Sequence, residues 1–201
     1  RPDRGKVLHA EDLEKIENFH RYLDTDGDGI PYRSLPGEHP KGSFFTRGSG
    51  HNKYGGYTED ADEYQDVVDR LLVKWDTARE LVPEPVIEYS KFNRTAVLTV
   101  GSGEAAVHEA VEQLAAEGVK LNYCRVKAFP FGEAVTDFVD KHDRVYVVEQ
   151  NRDAQLRSLL ILDAGIDQNK LVPVLHYNGL PMHAGFVAER IREDREKIEA
   201  A

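Results

Sequence analysis

The segment TAVLTVGSGE, residues 95–104, decides the fold of the larger part of this chain. Its first residues, Thr95–Val100, are apolar or β-branched, which is typical of a buried strand. An amphipathic run follows the glycine turn from Glu104 to about Glu117, and Gly118 is placed to end that helix in the left-handed conformation. The segment therefore predicts a strand, a tight turn and a helix, which together form the repeating unit of an α/β domain.

The same alternation continues to the end of the chain. Strands are predicted over residues 119–126, 144–149 and 171–176, and helices over 131–142, 153–164 and 185–200. Each crossover is long enough for a parallel return, so we predict an open, mainly parallel sheet with helices on both faces, a three-layer α/β fold. Ligands in such a sheet bind beyond the carboxyl ends of the strands, where the loops are 101–103, 128–131, 150–153 and 177–183.

The chain changes character near residues 82–85, VPEP, which separates a predicted arm, residues 1–85, from the α/β domain, residues 86–201. We predict that the arm is a helix, a long loop and a second helix, with the helices at Asp12–Tyr22 and Glu59–Leu81. Thr58 is the predicted N-cap of the second helix, and the acidic residues after it are typical of a solvated helix start. The apolar side chains of that helix recur at a period of 3.6 residues; they are Tyr64, Val67, Val68, Leu71, Leu72 and Trp75.

Composition excludes several classes of protein. The 201 residues include 36 acidic and 26 basic side chains, which give a net charge of −10. Non-specific electrostatic binding to the phosphate backbone of nucleic acid is therefore not expected. No apolar run approaches the roughly 20 residues of a membrane span. The single cysteine, Cys124, permits neither an internal disulfide nor a cysteine-based zinc site and fits a cytoplasmic protein. Because the chain starts at Arg1 without an initiator methionine, we expect it to be part of a longer protein.

The loop DTDGDGI, residues 24–30, matches the first half of a calcium-binding EF-hand loop. Asp24, Asp26, Asp28 and the carbonyl of Ile30 are the candidate ligands for Ca²⁺ or Mg²⁺. The second half does not match, because Leu35 stands where a bidentate glutamate is required. The alternative is a set of Asx turns without an ion, with Arg21 or Arg33 supplying the positive charge.

Two glycine motifs were considered as cofactor sites. Gly27-Asp28-Gly29 lacks the preceding apolar strand and the following Asn-Asn pair of a thiamine diphosphate motif, and we reject that interpretation. Gly101, Ser102 and Gly103 offer amide groups at a helix start, which is a generic anion cradle, although the pattern favours a tight turn without a ligand. Cys124 is expected to be packed in a strand, and no Ser-His-Asp set is identified.

The basic loop around Arg47 and His51, residues 46–53, contains two glycines, at positions 48 and 50. Such a loop either reaches over a neighbouring active site, with Arg47 suited to a carboxylate, or simply crosses the surface.

Several segments together resemble one family of enzyme subunits. They are DTDGDGIPYR (24–33), LPG (35–37), HPKG (39–42), FTRG (45–48) with His51, VVEQNRDAQL (147–156) and GLP (179–181). In this order they resemble the C-terminal part of the alpha subunit of 2-oxoacid:ferredoxin oxidoreductases, specifically the 2-oxoglutarate type.

The resemblance implies part of an enzyme that oxidatively decarboxylates a 2-oxoacid with thiamine diphosphate and coenzyme A and passes electrons through an iron–sulfur cluster to ferredoxin. It implies that a beta subunit holds the thiamine diphosphate and a cluster, that the complex is a dimer of heterodimers, and that this chain alone binds none of these cofactors and is inactive. The α/β domain then resembles the C-terminal domain of transketolase.

The resemblance also implies roles for particular residues, while no catalytic residue is expected within this chain. Arg47 and His51 are expected to approach the catalytic interface. Glu149, Asn151, Arg152 and Gln155 are expected to contact ligand or a partner subunit, with helix capping as the alternative for Asn151 and Asp153. Relatives are expected to carry Met and Gly where this chain has Gln150 and Ala154.

Two other functions remain open from the residues alone. One is an interaction module that binds a divalent cation through the loop of residues 24–30. The other is a stand-alone anion or nucleotide binder that uses residues 101–103.

Overall fold

The computed structural model describes residues 3–45, 48–90 and 93–200. The chain forms two compact units, Arg1–Leu81 and Val82–Ala201. In the part that the structure describes, no helix combines the length and apolar character needed to cross a membrane.

The first unit contains helix α1 (Ala10–Lys15), a short 3-10 turn (Pro40–Gly42) and the long helix α2 (Ala61–Leu81). An isolated parallel bridge joins Val7 to Arg33; in it the Leu8 amide donates to the Arg33 carbonyl at 2.8 Å and the Arg33 amide donates to the Lys6 carbonyl at 2.9 Å. This bridge fixes the start of the chain beside the long loop.

Helix α1 is shorter than predicted and does not extend to Tyr22. The Nζ of Lys41 donates to the carbonyl oxygens of Glu14 at 3.0 Å and Ile16 at 2.9 Å, and Ile16 is already extended. A side chain from the distant 3-10 turn thus satisfies carbonyls that a longer helix would have bonded internally.

The predicted N-cap of α2 is also corrected. The Oδ1 of Asp60 accepts hydrogen bonds from the amides of Asp62 and Glu63, both at 3.0 Å, so Asp60 caps the helix. Thr58 instead accepts a hydrogen bond from the Asp60 amide at 3.1 Å and so orients the capping residue.

The second unit is an α/β fold, as predicted. Its described residues form a five-stranded sheet in the order β1-β3-β2-β4-β5. The strands are β1 (Val86–Glu88), β2 (Thr95–Val100), β3 (Asn122–Val126), β4 (Arg144–Glu149) and β5 (Leu171–Leu175), and the helices are α3 (Glu104–Ala116), α4 (Glu133–Asp140), α5 (Gln155–Leu162) and α6 (Ala184–Glu199). Strands β2 to β5 are parallel, whereas β1 pairs antiparallel with β3 at the edge and was not predicted.

Alternate residues of the central strands pack on opposite faces of the sheet. Leu98 and Val147 pack with α4 and α5, whereas Val97 and Val148 pack with α3 and α6. Because both faces are covered, these strands appear in the sequence as continuous apolar runs. Strands β3 and β4 lie on opposite sides of β2, so the order of the strands reverses at β2, which is where a crevice forms in open sheets of this kind.

Candidate functional site

A cleft of about 460 Å3 lies at the carboxyl edge of the sheet in the second unit. The segments that follow β2, β3 and β4 supply its walls, as the reversal of strand order requires. The lining includes Val100, Gly101, Ser102, Val126, Lys127, Phe129, Phe131, Glu149, Gln150, Asn151, Gln155, Leu156 and Leu159. The predicted residues Glu149, Asn151 and Gln155 thus meet Gly101 and Ser102 in one cleft.

The floor of the cleft is apolar and its rim is polar. Val126, Phe131 and Leu156 are buried. On the rim, the Ser102 hydroxyl donates to Gln150 Oε1 at 2.8 Å, and the Asn151 amide donates to Gln155 Oε1 at 2.9 Å. An apolar floor with a few oriented polar groups is the usual character of a small-molecule or peptide site.

Glu149 stabilises the start of helix α5. Only 4% of this residue is exposed, and its carboxylate accepts hydrogen bonds from the amides of Leu156 at 2.8 Å and Arg157 at 3.2 Å. These amides are donors that the first turn of a helix leaves unsatisfied. Glu149 therefore caps α5 from the end of β4, a role that the sequence analysis considered for Asn151 and Asp153.

Asn151 and Asp153 shape the turn between β4 and α5. The Asn151 side chain accepts a hydrogen bond from the Asp153 amide at 2.6 Å, and the Asp153 carboxylate accepts two from Arg152 at 2.7 and 3.1 Å. Ala154 then adopts the left-handed conformation, with φ 51° and ψ 48°. A glycine adopts this conformation without strain, which gives a physical reason for the glycine expected here in relatives.

The turn of residues 101–103 is a 3-10 turn that leads into α3. Gly101 has φ +67°, a conformation that suits glycine, and the turn alone accounts for it without a ligand. Gly103 is buried. Gly101 and Ser102 still line the cleft.

The described lining residues include one cation, Lys127, and among them no nucleophile stands beside a base. Lys127 is not among the predicted site residues, because the predicted loop begins one residue later, at 128. Its position directly after β3 was the signal that could have identified it.

The remaining predicted residues lie elsewhere. Arg152 is exposed and pairs with Asp153, which raises the pKa of its guanidinium, and it does not line the cleft. His51 belongs to the first unit, where its Nδ1 donates to the Asn52 carbonyl at 2.9 Å and its ring packs against Tyr22 at 4.1 Å between centroids. Arg47 lies outside the described residues.

The acidic loop of residues 24–30 brings its three aspartates together. One carboxylate oxygen from each of Asp24, Asp26 and Asp28 lies within 4.8 Å of the others. The Nζ of Lys6 bonds to Asp26 at 2.7 Å and to Asp28 at 2.5 Å, and this contact lowers the pKa of Asp26. Lys6, rather than the predicted Arg21 or Arg33, supplies the positive charge within this cluster.

The loop also has a structural role, because it is fixed to helix α2. Arg70 donates to the Gly29 carbonyl at 2.7 Å and Thr77 donates to the Asp28 carbonyl at 2.6 Å. Gly29 approaches the helix so closely that a Cβ there would lie 2.2 Å from the Lys74 amide nitrogen. The Asp24 carboxylate accepts hydrogen bonds from the amides of Gly27 and Gly29 and holds the turn.

Two buried titratable groups of the second unit are structural. Burial raises the pKa of the Cys124 thiol to about 12, so this residue is not a nucleophile. His142 is 1% exposed; its Nδ1 donates to the Phe138 carbonyl at 2.6 Å and its Nε2 accepts from Asn122 at 2.7 Å. Burial lowers the pKa of His142 and the hydrogen bond to Phe138 opposes that shift.

Comparison with known proteins relates the chain to one group of enzyme subunits. No family model matches it. It is 27% identical over 196 residues to 2-oxoacid:ferredoxin oxidoreductase 2, subunit alpha, of Aeropyrum pernix, which covers 95% of this chain and 30% of that protein. It is 28% identical over 205 residues to 2-oxoacid:ferredoxin oxidoreductase subunit alpha of Saccharolobus solfataricus, which covers 99% of this chain and 31% of that protein.

The fold has a match among solved structures. The 2-oxoglutarate:ferredoxin oxidoreductase of Magnetococcus marinus, solved with 2-oxoglutarate, coenzyme A and succinyl-CoA bound, matches with a TM-score of 0.74 at 23% identity over 90% of this chain and 31% of that chain. The two relatives from Aeropyrum pernix and Saccharolobus solfataricus are alpha subunits of 2-oxoacid:ferredoxin oxidoreductases. This chain spans less than a third of the length of each of them.

Proposed function

We propose that this chain is part of the alpha subunit of a 2-oxoacid:ferredoxin oxidoreductase and acts by assembling with the other parts of that enzyme. The observation that carries the proposal is the similarity to two alpha subunits over 95% and 99% of the chain. The chain offers one cysteine, so a four-cysteine iron–sulfur cluster needs ligands from elsewhere. We assign thiamine diphosphate and the cluster to the beta subunit, and coenzyme A and ferredoxin to the assembled enzyme, a dimer of heterodimers in the cytoplasm.

The substrate that we propose is 2-oxoglutarate. Its support is the resemblance of the sequence motifs, together with a fold match to an enzyme solved with that compound. A panel of 2-oxoacids given to the assembled enzyme tests this choice: preference for 2-oxoglutarate supports it, and preference for pyruvate contradicts it.

Helix α2 provides the surface on which we place the contact with the beta subunit. Its 21 residues include none that is buried. Several of its large apolar side chains are exposed to solvent: Tyr64 (54%), Val68 (39%), Leu71 (46%), Leu72 (65%) and Val73 (45%). Tyr64, Val68, Leu71 and Leu72 recur at i, i+4, i+7 and i+8 and so share one face of the helix. Exposed apolar surface of this kind marks an interaction site.

The cleft and the loop of Arg47 and His51 are assigned to the surroundings of the active site. We propose that Asn151, Gln155 and Lys127 contact a ligand or a partner segment in the cleft, that Glu149 positions Gln155 by capping α5, and that Arg152 contacts a partner subunit. Arg47 and His51 are proposed to approach the catalytic interface. These roles describe support for a site whose reacting groups lie in the rest of the enzyme.

Co-purification with a beta subunit tests the assembly. We expect tagged chain to retain a co-expressed beta subunit of this enzyme class, and Leu72→Glu to reduce the retained amount at least tenfold. The matched control is Leu162→Glu, because Leu162 is also an exposed leucine, at 82%, and lies in α5 of the second unit. Retention of the beta subunit by Leu72→Glu would contradict the assignment to α2, and failure of the wild-type chain to retain it would contradict the proposed function.

A further inference from the structure

A second cavity, of about 660 Å3, lies within the first unit, and six of its twelve described lining residues are basic. The basic residues of its lining are Arg4, Lys6, Arg21, Arg33, Arg70 and Lys74, and Asp3 is the one carboxylate among the described lining residues. In a chain with a net charge of −10, such a concentration of positive charge does not follow from composition. We refer to this space as the basic cavity.

The fold brings these cations together from four separate segments. The bridge between Val7 and Arg33 places the first residues of the chain, with Arg4 and Lys6, beside Arg33. Arg70 and Lys74 stand at i and i+4 on α2 and so share one face of the helix, an arrangement of like charges that is unfavourable by itself.

Most of these cations form no ion pair with a described carboxylate. Lys6 pairs with Asp26 and Asp28. Within the described ranges no ion pair involves the other cations, which are Arg4, Arg21, Arg33, Arg70 and Lys74, although Asp24 is close enough to Arg70 to raise its pKa. Arg33 and Arg70 donate to the carbonyl groups of Arg4 and Gly29, which carry no net charge.

Arg70 shows the electrostatic consequence most clearly. Its Nε is buried and has no hydrogen-bond partner among the described residues. Burial lowers the pKa of its guanidinium, Asp24 raises it, and the positive charge of Arg21 lowers it further. A bound anion would offset the repulsion between the positive charges of Arg70 and Arg21.

We propose that the basic cavity binds an anion with at least two phosphoryl groups. Guanidinium groups bind phosphate oxygens with two parallel hydrogen bonds, and several arginines around one space suit a ligand with several such oxygens. The volume falls within the range of small-ligand sites. A free diphosphate and a nucleoside diphosphate present the same charged group, and Tyr22 and Phe44 supply aromatic wall beside it.

Calorimetric titration of the full chain tests this site, with inorganic diphosphate, ADP and succinate as separate probes. We expect saturable binding of diphosphate or ADP with Kd below about 1 mM, and at least tenfold weaker binding in the double variant Arg21→Gln, Lys74→Gln. Arg21 is chosen because, among the described residues, its side chain makes a single long hydrogen bond, at 3.5 Å to the Tyr32 carbonyl, so its loss should disturb the fold little. Lys120→Gln, which removes an exposed lysine of the second unit, is the matched control and should bind as the wild type does.

Tighter binding of ADP than of diphosphate would identify a nucleotide as the ligand, and equal binding would identify the diphosphate group itself; both support the proposal. It is overturned if neither probe binds saturably, if succinate binds as tightly, or if Lys120→Gln weakens binding as much as the double variant. Lys74→Gln alone serves if the double variant unfolds, and it should weaken binding at least threefold. Anion binding here does not require a beta subunit. Calorimetry can therefore show no binding while the beta subunit is still retained, and it can show binding while the beta subunit is not retained.

Discussion

The close approach of Gly29 to helix α2 predicts a large difference between two similar substitutions. Gly27→Ala and Gly29→Ala both place an alanine in the left-handed region, at φ +82° and +77°. That strain costs about 1–2 kcal/mol. Alanine also lowers the conformational entropy of the unfolded chain, which offsets about 0.4–1 kcal/mol of that cost. Gly27 has no atom within 4 Å of an added Cβ, so Gly27→Ala should lower the free energy of unfolding by about 1 kcal/mol.

Gly29→Ala carries a further cost, because its Cβ would lie 2.2 Å from the Lys74 amide nitrogen. The loop must then retreat from the helix backbone by about 1.3 Å to reach ordinary contact at about 3.5 Å. That movement lengthens the hydrogen bonds from Arg70 and Thr77 to the loop, now 2.7 and 2.6 Å long. Each is worth about 1–2 kcal/mol, so the total loss for Gly29→Ala should be about 4 kcal/mol.

Urea unfolding followed by tryptophan fluorescence measures this difference. Trp75 is the single tryptophan of the chain and lies in α2, so its emission reports on the first unit. If Gly29→Ala does not fold, Thr77→Val provides a milder test with an expected loss of about 1 kcal/mol. Equal effects of Gly27→Ala and Gly29→Ala, or no effect of Thr77→Val, would refute the account of how the acidic loop is fixed to the helix.

Three further predictions concern the second unit. Ala154→Gly should stabilise it by about 0.5–1 kcal/mol, because the left-handed strain disappears. Ala116→Gly, at the last residue of α3, should instead cost about 0.5 kcal/mol; thermal unfolding that gives the same sign for both would contradict this. Glu149→Gln should cost about 2 kcal/mol in urea unfolding, because one oxygen acceptor for the α5 amides becomes a donor, against about 0.5 kcal/mol or less for the exposed Glu133→Gln. Burial lowers the pKa of His142 in the folded chain below its unfolded value of 6.5, so the unfolded chain binds more protons in that range. The free energy of unfolding should therefore keep its full His142 contribution above pH 6.5 and decline as the pH falls below that value. An NMR titration that gives His142 a pKa of 6.5 or higher would contradict this.

The strand and helix pattern of the second unit could be predicted because its signals are local. Leu98 and Val97 belong to a continuous apolar run, and Gly118, with φ +88°, ends α3 as predicted. Strand β1 was missed because three residues next to a proline pair show no periodicity. Its pairing with β3 is determined by the sheet and not by its own sequence.

The contacts that define the sites depended on partners far away in the sequence. Lys6 reaches the aspartate cluster only because of the bridge between Val7 and Arg33, and nothing in the loop itself indicates a lysine counterion. The capping of α5 by Glu149 likewise requires the end of a strand to meet the start of the following helix. Asn and Asp in the turn were the stronger local signal, since these residues are the usual caps.

The most direct test of the proposed function is the reduction of ferredoxin by a complex that contains this chain. We predict that the chain alone reduces no ferredoxin. With a beta subunit and the remainder of an alpha subunit of this enzyme class, it should support reduction that depends on both a 2-oxoacid and coenzyme A. Turnover by the isolated chain, or a fully assembled complex whose ferredoxin reduction needs neither compound, would contradict the account.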